Sequence, residues 1–200
     1  MVEKKVDKNR RKFLTNSVTF VGGAGAAIAM WPFLASMKPS ARARAAGGPV
    51  EIDISKMEPG QKIDLIWRKK PIWIIRRTSE MVRGLEDNHV KFRDTNSDNE
   101  AQQPDFAKNR HRSINPEYLV LEGICTHLGC NPSYRPEIAP ADLGKDWSGG
   151  FFCACHGSRF DLAGRVYRGV PAGSNLKVPP HKYLSATRII IGVMPDQEVA

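Results

Sequence analysis

Four cysteines stand within 31 residues, and two of the five histidines stand among them. They form two boxes, Cys125-Thr126-His127-Leu128-Gly129-Cys130 and Cys153-Ala154-Cys155-His156-Gly157-Ser158. Each box offers two sulfurs and one imidazole. Two disulfides would use every sulfur and leave the histidines without a role. A zinc site of two Cys and two His is sound tetrahedral chemistry, and it leaves two cysteines over. A four-Cys iron–sulfur cluster uses every sulfur and neither histidine. A 2Fe–2S centre with two Cys on one iron and two His on the other also leaves two cysteines, which could bridge the boxes as a disulfide. This last reading and its zinc analogue account for all six residues, and the spacing leaves both open.

The elements that must hold these boxes read as β-structure. Val50–Ile54 alternates apolar and polar residues, as a half-buried strand does. Ile63–Trp67 and Ile72–Ile75 predict two more strands, with Arg68-Lys69-Lys70-Pro71 as the turn between them. Thr78–Leu85 predicts a short helix capped by Thr78 or Ser79. Asp94–Asn109 is polar and reads as an irregular surface excursion. Tyr118–Leu121 and Ala186–Val193 predict further strands. The 22 residues from Asn131 to Phe152 carry Pro132, Pro136 and Pro140, and read as a long surface insertion between the boxes. Short strands with 17 Gly and 14 Pro argue for an all-β domain. His89, His111 and His181 lie outside the boxes and read as solvated or structural.

The net charge of +9 is concentrated at one end. Residues 1–44 hold 9 Lys+Arg and 2 Asp+Glu, whereas residues 45–200 hold 21 and 19, a net of only +2. The folded part is therefore nearly neutral, which argues against nucleic acid as a partner. Phe13–Met37 is an uncharged run of 25 residues. As a helix it would span about 37 Å, enough to cross a hydrocarbon core of about 30 Å with some tilt. Six basic residues precede it and three follow it, which predicts a cytoplasmic N-terminus. Arg10-Arg11-Lys12-Phe13-Leu14 resembles a twin-arginine export signal. Ala43-Arg44-Ala45 offers small residues for a signal peptidase, but the run exceeds the usual apolar core of a cleaved signal, which favours an uncleaved anchor. The chain thus divides into a basic segment (1–12), a transmembrane anchor (13–37), a linker (38–49) and a globular domain (50–200).

The two boxes, C-T-H-L-G-C and C-x-C-H-G-S, resemble those of the Rieske iron–sulfur family. With the anchor and the Gly/Ala-rich linker, the resemblance extends over nearly the whole chain to the Rieske subunits of bacterial quinol–cytochrome c oxidoreductases. It implies an antiparallel β-sandwich head, a cluster-binding subdomain at about 122–172, and one 2Fe–2S cluster per subunit. Cys125 and Cys153 would ligate the inner iron, His127 and His156 the outer one, and Cys130 and Cys155 would form a disulfide between the loops. A disulfide agrees with export to an oxidising compartment. Ser158 matches a serine that donates to a bridging sulfide. Many relatives carry a tyrosine two residues later; Phe160 stands there in this chain, which predicts a lower potential. Gly169-Val170-Pro171-Ala172 resembles the family's proline loop, although Val170 and Gly173 depart from its common Gly-Pro-Ala-Pro form and leave its stiffness open.

The implied activity is electron transfer from quinol to a c-type cytochrome, beside a cytochrome b subunit. His156 and His127 would be the catalytic pair, with His156 facing quinol. The head would lie on the periplasmic side of a bacterial inner membrane and swing on a hinge at Ala45–Pro49. Two alternatives have distinct signatures. One is a Rieske carrier for another exported enzyme, such as an arsenite oxidase small subunit. The other is a colourless zinc- or disulfide-stabilised interaction domain.

Overall fold

The computed structural model describes residues 7–40, 47–85 and 91–197. The chain divides into two compact units, residues 1–45 and 46–200.

In the first unit, helix α1 runs from Lys8 to Ser36, 29 residues, or about 43 Å at 1.5 Å each. Asp7 caps it, its carboxylate accepting from the backbone N–H groups of Asn9 and Arg10. The helix therefore begins before the uncharged run and takes in the twin-arginine residues. Thr15 and Thr19 donate their hydroxyls to the carbonyls of Arg11 and Thr15, so neither polar group is left open on an apolar helix. The chain passes through Pro32 and ends the helix one turn later. None of its described side chains is buried against protein, and it is long and apolar enough to cross a membrane.

Among the described residues of the second unit, nine strands form three three-stranded antiparallel sheets. The first has the order β1 (Val50–Asp53), β9 (Arg188–Ile191), β8 (His181–Ser185). The second is β2 (Lys62–Trp67), β3 (Lys70–Arg76), β4 (Tyr118–Glu122). The third is β5 (Ser133–Ile138), β6 (Ser148–Cys153), β7 (Ser158–Asp161). Helix α2 (Ser79–Gly84) follows β3 and is capped by Thr78, whose hydroxyl accepts from Met81 N.

The second sheet is central because β3 and β4 are apolar on both faces. Side chains alternate along a strand, so each face receives every other residue. Ile72, Ile74, Tyr118 and Val120 join Ile189, Ile191, Ile54 and Met57 in one core. Trp73, Ile75, Leu119 and Leu121 join Phe151, Phe160, Cys125 and Cys153 in another. The register places Trp73 opposite Leu121 and Ile75 opposite Leu119, so the second core is continuous across the strand pair. The ligand-type cysteines therefore sit in the same packed interior as the third sheet.

Several expectations change. The β2–β3 turn is two residues, Arg68 and Lys69, both at positive φ (49° and 62°), while Lys70 and Pro71 pair with Trp67 and Ile66. This is the backbone twist that favours a tight hairpin. The insertion expected at Asn131–Phe152 is instead β5, β6 and their connection, with Leu143 and Trp147 buried. Trp147 donates its indole N–H to Arg135 O, and Gly149 and Gly150 take positive φ beside the register shift between Arg135 and Ile138 in the β5–β6 pairing. Prolines and glycines in this stretch mask a strand pair whose alternation is broken by that shift. The polar stretch Asp94–Asn109 is irregular but is not a surface excursion throughout, because Ser97, Gln103 and Ala107 are buried. Of the expected hinge at Ala45–Pro49, Ala45 and Ala46 lie outside the described residues. Gly47 and Gly48 are tied to the head by Arg68 Nε and Trp67 Nε1.

Candidate metal centre

Each box forms the same turn. Gly129 N donates to Cys125 O at 3.0 Å, and Gly157 N donates to Cys153 O at 2.9 Å. Gly129 and Gly157 both sit at positive φ, 86° and 76°, a conformation that side chains with a Cβ rarely adopt. The turns thus reverse the chain so that a Cys points inward and a His outward. Cys125 and Cys153 are each 2% exposed. His127 is half-buried and His156 exposed. Their rings meet edge to face with centroids 4.8 Å apart. Cys130 and Cys155 form a disulfide that joins the two turns, and Cys130 O also accepts from Cys125 N at 2.7 Å.

The two buried sulfurs are neighbours. Burial pushes the Cys125 thiol up, and the adjacent Cys153 sulfur pushes it further, against the pull of the His127 N–H and the Ser158 hydroxyl. Two ionised thiolates in this apolar setting need a positive charge beside them. The donor set is therefore two sulfurs in front of the core and two imidazoles toward solvent, with donors already aimed at sulfur. That set fits a sulfur- and nitrogen-ligated iron cluster. The sulfurs of Cys130, Cys153 and Cys155 also lie within 4.8 Å of one another, but two of them are consumed by the disulfide.

The segment Gly169-Val170-Pro171-Ala172 crosses beside both boxes. Ala172 N donates to Ser158 Oγ at 3.1 Å, and Thr126 Oγ1 donates to Ser174 O at 2.6 Å. Ala172 is fully buried, and Val170 packs on the core that contains the cysteines. Val170 and Gly173 therefore leave the loop anchored, because its fixing bonds use backbone groups rather than proline rings. Phe160, fully buried, faces the same core and pairs across β6 with Phe151.

Beneath the boxes lies a polar network that the sequence did not signal. Asp161 accepts from Ala163 N and Arg165 N through one oxygen and from the Arg165 guanidinium through the other. The pair is almost fully buried. Arg112 spans from Ala163 O and Gly164 O to Ser97 Oγ and Gln103 Oε1. Arg77 binds the carbonyls of Pro116, His111 and Leu162 and the hydroxyl of Ser113. Burial lowers both Arg77 and Arg112 to about 10, so both stay charged at neutral pH. The polarity of residues 94–115 thus serves the interior: it supplies acceptors for guanidinium groups that fasten this segment to the turn after β7. No periodicity encodes such a long-range pairing. His181 is buried, with Nδ1 against Pro179 O and its ring edge-on to Phe106. His111 Nε2 accepts from Arg110 Nε. His89 lies outside the described residues.

Comparison with known proteins identifies the family. The family described as the Rieske [2Fe-2S] domain matches residues 67–180, and the family described as the ubiquinol–cytochrome c reductase Fe-S subunit TAT signal matches residues 1–40. The ubiquinol-cytochrome c reductase iron-sulfur subunit of Allochromatium vinosum is 58% identical over 187 residues, covering 94% of this chain and 90% of that one. The subunit of the same description from Blastochloris viridis is 42% identical over 188 residues, covering 93% and 94%. Among solved structures, a chain of a hyperthermophilic respiratory Complex III is 25% identical, covers 88% of this chain and 98% of its own, and has a TM-score of 0.48. Of the two metal readings that the spacing left open, the family match selects the 2Fe–2S centre over zinc. The matched signal and the apolar helix α1 fit an exported, membrane-anchored protein. This chain belongs to the Rieske iron–sulfur subunits of ubiquinol–cytochrome c reductase, an oxidoreductase.

Proposed function

We propose that Cys125 and Cys153 hold the inner iron of the 2Fe–2S cluster, that His127 and His156 hold the outer iron, and that His156 meets quinol. The observation that carries this reading is the pairing of two 2%-exposed thiols behind two imidazoles whose rings lie 4.8 Å apart at the surface. When bound, the cluster supplies a one-electron acceptor, poised by imidazole ligation at roughly −150 to +300 mV. The protein's own residues do the rest. A ligating imidazole keeps a second nitrogen free, and the exposed ring of His156 can accept a hydrogen bond from a quinol hydroxyl. That nitrogen takes the proton as the electron leaves the quinol. The Ser158 hydroxyl and the backbone N–H of His127 offer hydrogen bonds to the Cys125 sulfur, which stabilise negative charge there and favour reduction. The Cys130–Cys155 disulfide and the loop at Gly169–Ala172 hold the two turns in register and shield the inner sulfurs from water.

The excess of basic residues before the uncharged run Phe13–Met37 supports a cytoplasmic N-terminus, a single pass through a bacterial inner membrane and a periplasmic head. The head would take electrons at a quinol pocket formed with cytochrome b and deliver them to a c-type cytochrome, moving between them on the linker after α1. The relatives' shared description as subunits of one reductase supports those partners over the arsenite-oxidase alternative. Low-temperature EPR of the dithionite-reduced protein, with iron and zinc analysis, tests the cluster assignment. The expected result is a rhombic signal of low average g and about two irons per chain. A silent spectrum with stoichiometric zinc would overturn it.

A further inference from the structure

On the reading that the head works on a tether, we infer that Trp67 and Arg68 form a latch that fixes where the tether leaves the head. Both side chains come from the tip of the β2–β3 hairpin, and both donate to the chain just before β1. Trp67 Nε1 donates to Gly48 O at 3.0 Å, and Arg68 Nε donates to Gly47 O at 3.1 Å. These contacts span 19 and 21 residues of sequence.

The local structure is built to present these donors. Trp67 is 5% exposed, and its ring lies over Gly192, where any Cβ would come within 2.9 Å of the indole. Gly192 sits at φ 97°, so an L side chain there would meet both a clash and a strained backbone. The Arg68 guanidinium covers the other side of the hairpin tip, 4.5 Å from the Trp67 ring centroid. Arg68 itself sits at φ 49°, a conformation uncommon for a long side chain. The turn thus places a bulky cationic residue where Asn or Gly is usual, and its side chain is used to hold Gly47.

The consequence is mechanical. Strand pairing with β9 begins at Val50, opposite Ile191. Without the two hydrogen bonds, Gly47, Gly48 and Pro49 would have no described attachment before that pairing. Three extended residues add about 10 Å of reach. A longer tether lowers the effective concentration of the head at each docking position. Trp67 and Arg68 are thus positioning residues for electron delivery, with no part in the chemistry.

The test uses the intact complex in membranes, with a nitroxide attached at Pro49→Cys. Trp67→Phe keeps an aromatic ring in the slot and removes the donor. Arg68→Asn keeps a residue that tolerates positive φ and removes the reach to Gly47. The double variant should free the label, visible as narrowed continuous-wave lines, while the cluster's EPR signal and midpoint potential stay unchanged. Quinol–cytochrome c turnover should fall by up to about two-fold. A label equally immobile with and without the two donors overturns the latch. Each single variant gives the same readout should the double variant fold poorly. A three-residue insertion after Pro39 separates this inference from the tethered-head reading. Turnover that responds to the insertion but not to a freed label overturns the positioning role alone; turnover that ignores both overturns the tethered head as well.

Discussion

The central sheet shows two ways of holding a protein together, one on each face. On one face, Ile72, Ile74 and Val120 pack against Ile189 and Ile191 in a hydrophobic core. On the other, Trp73 and Leu121 pack against a region whose shape depends on a disulfide, a buried ion pair, a serine hydroxyl and two glycine-closed turns. Both faces are apolar and equally buried. The difference lies in what each must deliver. The first face, here the base, needs only to be stable, and non-directional burial does that. The second, here the tip, would hold the four proposed donor atoms at fixed positions, and that requires directional bonds and covalent closure.

This contrast can be broken from either side. The largest effect is expected from Cys153→Ala, which removes a sulfur proposed as an inner ligand. The EPR signal and quinol oxidation should be lost while the far-ultraviolet circular dichroism of the head is largely kept; global unfolding would show that the base depends on the tip. Ile74→Ala does the reverse, since it empties a site in the base. It should cost about 2–5 kcal/mol in denaturant unfolding and leave the midpoint potential unchanged.

A smaller effect separates the two regions by pH. His181, at the start of β8, is held down to about 4, chiefly by burial and against the hydrogen bond with Pro179 O. The unfolded chain would protonate this imidazole near 6.5, whereas the folded one resists protonation until about 4. Its neutral form therefore contributes full stability above about pH 6.5, and that contribution is lost as the pH falls toward 4. The contribution is at most about 3 kcal/mol. Melting temperatures compared between pH 7 and 5 should fall less steeply in His181→Gln than in the parent; parallel curves would remove His181 as the cause.

The smallest effect is expected at the tip. Phe160→Tyr adds a hydroxyl in the core that holds Cys125 and Cys153, where a net hydrogen bond of about 0.5–1.5 kcal/mol would raise the potential by about 20–60 mV. Redox titration followed by EPR measures it, and an unchanged midpoint would end the explanation of a lowered potential.

How far the sequence could be read follows from the range of the forces involved. The boxes at Cys125–Cys130 and Cys153–Ser158 were legible because ligand types and spacings are local, and metal chemistry admits few combinations of them. The strands at Val50, Lys62, Lys70, Tyr118 and Arg188 were legible because alternation or a run of branched residues marks them. The apolar N-terminal helix was legible from its length and lack of charge alone. Strands β5 and β6 were not, since Pro136, Gly149 and Gly150 interrupt the pattern that burial later makes sense of. The buried role of residues 94–115 was hidden as well, because a polar segment looks solvated until Arg77 and Arg112 are seen to need its acceptors.

The amino-acid sequence by itself determined the two cysteine–histidine boxes, the apolar N-terminal helix and the strand-rich class, all properties of residues near one another in the chain. Only the tertiary structure decided that Gly47 and Gly48 belong to the head. It also decided that Asp161 and Arg165 are sealed inside, and that the segment Gly169–Ser174 is pinned to both boxes through its own backbone groups. These features depend on groups far apart in sequence being brought within bonding distance, and that closeness is set by the packed core rather than by any local preference of the chain.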